Sequence, residues 1–306
     1  MSPSQHSIVA VILNAGAGAG CPPEWIDRLR SKFAAAGVEA DVRHVQNGEQ
    51  IQPAVREAME AGAGTIVAAG GDGTVSAVAA TLAGTATALG VLPLGTLNHF
   101  AKDLRIPLDE DGAIATISDG HRMAVDVGEV NGRLFINNSS LGLYPDIVRD
   151  RNQRQRRLGH GKWRALVDAS INAARRYPLL HVAIDVDGKS LARRTPFVFV
   201  GNNDYTMEGF EIGERRALDR GVLSLYLTQR MGRFGLLRLA VLALLRRLQQ
   251  ARDFDVVTAR QLTVHTHHRR LRVATDGEVT VMETPLCYRM RAGALQVIVP
   301  AERKQA

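Results

Sequence analysis

The sequence predicts an α/β protein in two parts, a parallel sheet covered by helices and then a mostly antiparallel, β-rich domain. Three observations lead there. Short apolar runs alternate with helix-period segments from Ile8 to Leu104, and two of those runs end in glycine turns, Gly70–Thr74 and Gly95–Asn98. From about Met123 the pattern changes to strands joined by Asn131-Gly132 and Asp187-Gly188, dipeptides suited to two-residue hairpins. Strand–helix alternation marks a parallel sheet, and hairpins mark an antiparallel one.

Taken in order, Ile8–Leu13 reads as a buried strand running into the glycine-rich turn Asn14–Gly20. Pro22 and Pro23 open a helix with Trp25, Leu29 and Phe33 on one face, stopped by Gly37. Val38–Val45 is the next strand, and Ile51, Val55 and Met59 mark the next helix. Thr65–Ala69 enters the Gly70–Thr74 turn, after which Val75–Ala83 is helical. Ala86–Leu94 repeats the unit, passing through Gly95–Asn98 into a helix that ends at Leu104. Later strands fall at Pro196–Gly201, Val222–Thr228, Leu262–Thr266, Leu271–Thr275 and Leu295–Val299. Helical stretches interrupt them near Lys162–Arg176 and Phe234–Ala251. The expected division is 1–124, 125–285, and 286–306 returning to the first domain.

Composition narrows the class. With 45% hydrophobic and 23% charged residues the 306-residue chain has enough apolar side chains for two cores. No apolar run approaches the ~18–20 residues of a membrane helix, and the N-terminus lacks the basic and apolar regions of a secretory signal. Cys21 and Cys287 are too few for a disulfide framework or a thiolate metal site, so a cytoplasmic, reduced protein is expected. The net charge of +7 favours anionic partners, and Arg149–Arg176 holds eight Arg and one Lys against Asp150 and Asp168. Five per cent aromatics and no nucleic-acid motif turn that expectation away from nucleic acid and toward an anionic membrane surface, met peripherally at its inner face. Phe234, Leu237, Val241, Leu244, Leu245 and Leu248, flanked by Arg246 and Arg247, fit an interfacial helix or a core helix with snorkelling arginines.

Two glycine turns, each between a strand and a helix, predict a phosphate cradle. Glycine lets backbone approach an anion, and helix N-termini aim N–H groups at it. Thr74 and Thr96 add hydroxyls. Asp72 is out of place beside phosphates unless a cation or a proton lies between, so it fits a residue that orients Mg2+ or a transferred proton. The Asn14–Gly20 turn fits neither G-x-G-x-x-G nor the Walker A pattern and is a candidate third wall.

Gly70-Gly71-Asp72-Gly73-Thr74 resembles the signature of diacylglycerol, sphingosine and NAD kinases and phosphofructokinases. Leu92–Ala101, with Asp126-Val-Gly, Phe135-Ile-Asn137, Gly142, Gly201-Asn202, Ala217–Gly221 and Asp276-Gly-Glu278, resembles the diacylglycerol kinase and lipid kinase branch, in order and along almost the whole chain. The resemblance implies a phosphofructokinase-like nucleotide domain, a β-rich lipid-substrate domain, ATP and Mg2+ as cofactors, and phosphorylation of a lipid hydroxyl in phospholipid metabolism. It assigns Asn14, His44, Gly70, Gly71, Asp72, Gly73, Thr74, Val75, Ser76, Gly95, Thr96 and Asn98 to the nucleotide. It assigns Asp276, Glu278 and Asp72 to catalysis, with Asp276 or Glu278 taking the hydroxyl proton. Read without the resemblance, Asp276-Gly277-Glu278 is a hairpin turn. The chain departs from the family at Ser76-Ala77, where an Asn-Glu pair is usual, at His44 and His99, and at Arg220, which replaces an aspartate that helps hold a structural metal in relatives. Asp219, one position earlier, is the remaining candidate ligand there.

Overall fold

The computed structural model describes residues 8–18, 20–142, 180–208, 211–215, 217–228 and 254–301. The basic run 149–176 and the apolar, arginine-flanked segment 230–252 lie outside the described residues. The chain divides into two compact units, residues 1–127 with 292–306, and residues 128–291. These boundaries fall later than 124 and 285 because both crossings occur inside continuous strands.

The first unit runs β1 (Val9–Asn14), α1 (Trp25–Ala35), β2 (Ala40–Val45), α2 (Ile51–Glu60), β3 (Thr65–Gly70), α3 (Asp72–Leu82), β4 (Ala88–Pro93), α4 (His99–Asp103) and α5 (Glu110–Asp119). β1 lies between β2 and β3, and β3 pairs with β4, all parallel. β3 and β4 are buried at every position, as strands covered on both faces must be, which explains their unbroken apolar runs. The helices contribute Leu29 and Phe33 of α1, Ile51 and Val55 of α2, and Val75, Val78 and Leu82 of α3 to the core. The order β2-β1-β3-β4 reverses direction between β1 and β3. That reversal is the topological switch point, the place where open α/β sheets bind ligands. α3 begins at Asp72 rather than at Val75, so the glycine signature is itself the first helical turn. Gly71 is the N-cap and Asp72 is not a cap.

Passing through β5 (His121–Val130), the second unit contains β6 (Arg133–Phe135), β7 (Asn138–Gly142), β8 (Leu180–Val186), β9 (Lys189–Thr195), β10 (Phe197–Asn202), β11 (Tyr205–Glu208), β12 (Glu211–Arg215), β13 (Leu223–Thr228), β14 (Phe254–Ala259), β15 (Gln261–Thr266), β16 (Arg270–Thr275) and β17 (Glu278–Glu283). The last strand, β18 (Leu286–Val299), begins here and ends in the first unit, where Val297 pairs in parallel with Leu89 of β4. One sheet has the order β14-β13-β10-β7-β16-β17, and β9, β8 and β15 continue from the start of β18 in another. Alternate residues of both, among them Leu141, Val200, Leu225, Ile184, Val264 and Tyr288, form one apolar core. Asn131 and Gly132, Asp187 and Gly188, and Asp276 and Gly277 all have positive φ, as type I′ hairpin turns require. Among the described residues, no helix is long and apolar enough to cross a membrane.

Candidate active site

The carboxyl ends of β1 and β3 bring Asn14 and Gly70 together at the switch point. Asn14 accepts from the Gly16 N–H through Oδ1 (3.1 Å) and donates through Nδ2 to Thr74 Oγ1 (2.8 Å), tying the first glycine loop to α3. Thr74 is therefore a buried tie between two walls rather than an exposed donor. It also explains Gly70, where a Cβ would lie 2.4 Å from Thr74 Oγ1. The third wall closes on the other two. A Cβ on Gly95 would lie 2.6 Å from Gly71 Cα, one on Gly18 would lie 2.6 Å from the Leu94 carbonyl oxygen, and the Leu94 N–H donates to Gly70 O (2.9 Å). These glycines allow backbone to pass backbone.

Within this junction the N–H groups of Thr74 and Val75 already donate to Gly71 O. The N–H groups of Asp72 and Gly73 come before any intrahelical acceptor and face outward along the helix axis. A Cβ at Gly73 would meet nothing within 4 Å, so the approach there is open. Asp72 Oδ1 is buried with no hydrogen-bond partner among the described residues. A buried, unpartnered carboxylate oxygen is costly unless a cation completes it, and an oxygen ligand of this kind suits Mg2+. The residues present thus fit a divalent cation beside phosphate.

Other assigned residues serve the walls. Asn98, buried and left-handed at φ 50°, accepts from Gly95 N (3.1 Å) and donates to Gly95 O (2.9 Å), so its carboxamide closes the turn. Thr96 at the tip of that turn is exposed, Val75 is buried on α3 and Ser76 is half-buried. His44 Nε2 lies 2.9 Å from Cys21 O and Nδ1 lies 3.3 Å from Gln46 Nε2, partners that place the hydrogen on Nε2 and hold β2 against the first loop.

In the second unit Asp276 and Glu278 flank the β16–β17 turn. The Asp276 carboxylate accepts three consecutive backbone N–H groups, from Ile136 to Oδ2 (2.9 Å) and from Asn137 (2.8 Å) and Asn138 (3.1 Å) to Oδ1. Glu278 Oε2 takes Arg133 Nη2 at 2.6 Å, while Arg133 Nε donates to Thr275 Oγ1 (2.7 Å). The 136–137 segment is gripped from behind by buried Arg215, which donates to Ile136 O (2.6 Å) and Asn137 Oδ1 (2.8 Å), and by Asn202 Nδ2, which donates to Ile136 O (2.9 Å). No sequence motif marks Arg133 or Arg215, whose roles come from partners distant in the chain. Asp219 is exposed, and among the described residues no three His, Cys, Asp or Glu side chains come close enough to hold an ion. Arg220 instead donates to Asp204 Oδ2 (2.7 Å), whose other oxygen accepts from Ser224 Oγ (2.5 Å). A guanidinium and a hydroxyl hydrogen thus engage the nearby carboxylate that a cation would need.

Two family models match the chain, the diacylglycerol kinase catalytic domain over residues 8–130 and the YegS C-terminal NAD kinase beta sandwich-like domain over residues 145–299. The chain belongs to the diacylglycerol kinase and lipid kinase family. It is 43% identical over 122 residues to a probable lipid kinase YegS-like of Pseudomonas aeruginosa, covering 38% of this chain and 40% of that one. It is 38% identical over 108 residues to a diacylglycerol kinase of Staphylococcus epidermidis, covering 35% and 34%. The matched segments thus span about two-fifths or less of these relatives' lengths. Among crystal structures, a diacylglycerol kinase from Bacillus anthracis superposes with a TM-score of 0.69 at 21% identity, over 97% of this chain and 98% of its own. That likeness bears on the fold.

Proposed function

We propose that the protein transfers the γ-phosphoryl group of ATP to the hydroxyl of a lipid, diacylglycerol or a related lipid alcohol, with Mg2+ as cation, at the inner face of a membrane. One arrangement carries this reading: the outward N–H groups of α3 and the unpartnered buried oxygen of Asp72 share the switch point. Helix N–H groups favour phosphate oxygens, whereas a carboxylate oxygen repels them, so the pair calls for phosphate and cation together. Mg2+ held at Asp72 would neutralise phosphate charge and stabilise the charge that develops during transfer.

The protein's own groups do the rest. The Asn14–Thr74 tie and the Gly71–Gly95 contact keep the phosphate approach in shape. As the lipid oxygen attacks the γ-phosphorus, Asp276 or Glu278 accepts its proton and ADP departs. Asp276 is held rigid by three N–H donors, and Arg133 fixes the orientation of Glu278.

The test is transfer of labelled phosphate from ATP into an extracted lipid mixture, with the product identified by mass, beside a panel containing NAD and soluble alcohols. Label in a lipid phosphate ester is the expected result. Label only in a soluble product, or ATP binding without transfer to any acceptor, overturns the reading.

A further inference from the structure

The outer face of the second unit's β9-β8-β15-β18 sheet carries a feature the proposed chemistry does not use. Val182 and Ile184 of β8 point into the core, so His181, Ala183 and Asp185 point outward. Register sets Arg194 of β9 opposite His181, and His265 of β15 opposite Ala183. The next outward residue after His265 is His267, whose ring lies 6.2 Å from that of His181. An exposed row of Arg194, His181 and His267 therefore crosses the end of the sheet and continues into the turn carrying His268 and Arg269.

That turn is held in shape. His268 N donates to Thr266 Oγ1 (3.1 Å), Thr284 Oγ1 donates to His268 O (2.6 Å), and Thr284 N donates to Arg269 O (3.0 Å). Nearby basic groups are already paired: His265 with Asp185 (2.9 Å), Arg193 with Asp255 (3.6 Å) and Arg270 with Glu283 (3.1 Å). Arg194 and Arg269 have no acidic partner among the described residues. The floor beside the row is lined by small side chains, with Ala183, Ala192 and Thr263 outward and, among the described residues, no outward Phe, Tyr or Trp for base stacking.

We propose that this row and turn form a docking surface for anionic phospholipid headgroups, through which the second unit meets the membrane. The proposal rests on the lipid kinase reading for its choice of partner. Guanidiniums without an acidic partner, one on β9 and one on a pinned turn, suit phosphate oxygens, and the absence of Phe, Tyr and Trp from the described outward positions offers little for base stacking. With no apolar wedge on the face, attachment is electrostatic, reversible and weakened by salt.

The test is co-sedimentation of the full chain, without ATP, with phosphatidylcholine vesicles that contain or lack phosphatidylserine, a lipid with no alcohol to phosphorylate. The wild type should bind only the phosphatidylserine vesicles. Each basic residue close to an anionic surface strengthens partitioning roughly fivefold, so Arg194→Glu with Arg269→Glu should weaken it by at least about tenfold. The glutamine pair should lose less, and both variants should keep wild-type Tm and turnover of a dispersed short-chain substrate. Equal vesicle binding by wild type and glutamate variant overturns the proposal, as does equal binding of the wild type to neutral vesicles, or tighter binding to duplex DNA than to phosphatidylserine at equal phosphate. Vesicle binding that depends on Arg194 and Arg269 in a protein that phosphorylates no lipid supports this surface and overturns the kinase reading alone.

Discussion

Asn14 Nδ2 donates to Thr74 Oγ1 at 2.8 Å, joining the carboxyl end of β1 to the first turn of α3 across sixty residues of chain. The bond holds two of the three site walls at a fixed separation. A neutral hydrogen bond is worth about 0.5–1.5 kcal/mol net, so Thr74→Val should weaken ATP binding by up to about tenfold with a small change in Tm. Thr74→Ser keeps the acceptor and should bind almost as well as wild type. Calorimetric titration compares them, and equal affinity for valine and serine would show that the tie does not shape the site.

Asp72 poses a trade between stability and activity. Its buried, unpartnered oxygen costs the metal-free protein stability, so Asp72→Asn should have a Tm no lower than wild type without divalent cation. The same change should lower kcat at least ~100-fold if the carboxylate holds the cation, and it should remove Mg2+-induced stabilisation seen with ATP. A marked fall in Tm with activity kept would make Asp72 a structural residue.

The glycines of the junction should separate cleanly. Gly95→Ala places a methyl 2.6 Å from Gly71 Cα and 2.7 Å from Asn98 Oδ1, so the walls must part and ATP affinity should fall sharply. Gly73→Ala meets no protein atom within 4 Å and should leave Tm near wild type. If phosphate occupies that opening, Gly73→Ala still weakens ATP binding. Unchanged ATP affinity in Gly73→Ala would place the phosphates elsewhere.

The two carboxylates of the β16–β17 turn differ in what surrounds them. Asp276→Asn replaces an acceptor oxygen that faces backbone N–H groups with a donor, so Tm should fall as well as kcat. Glu278→Gln disturbs an exposed ion pair, worth little to stability, and should lower kcat with Tm nearly unchanged. Thermal melts beside steady-state kinetics check both. A full-activity Glu278→Gln would leave Asp276 as the proton acceptor.

Much of the fold was legible because it depends on short stretches of chain. Asn131-Gly132, Asp187-Gly188 and Asp276-Gly277, each between strand-like runs, announced hairpins through their tolerance of positive φ, and the unbroken apolar runs of β3 and β4 announced burial on both faces. β9, Lys-Ser-Leu-Ala-Arg-Arg-Thr, carried no such mark: it is an edge strand whose inward positions include Arg193, paired to Asp255. In the site, Asp72 and the glycines were visible as a motif. Arg133 was not, because what defines it is Glu278, 145 residues away.

The sequence alone determined the strand–helix alternation of the first part, the change to hairpins in the second and the places where glycine turns the backbone, since periodicity and φ preference act within a few residues. Only the tertiary structure decided that β1 and β3 are neighbours with the switch point between them, so that Asn14 reaches Thr74 and Gly71 meets Gly95. It also decided that Asp276 holds the 136–138 segment and that Arg194 lies opposite His181. Those relationships follow from strand order and register, which are set by burying the apolar surface of each whole unit rather than by the residues on either side.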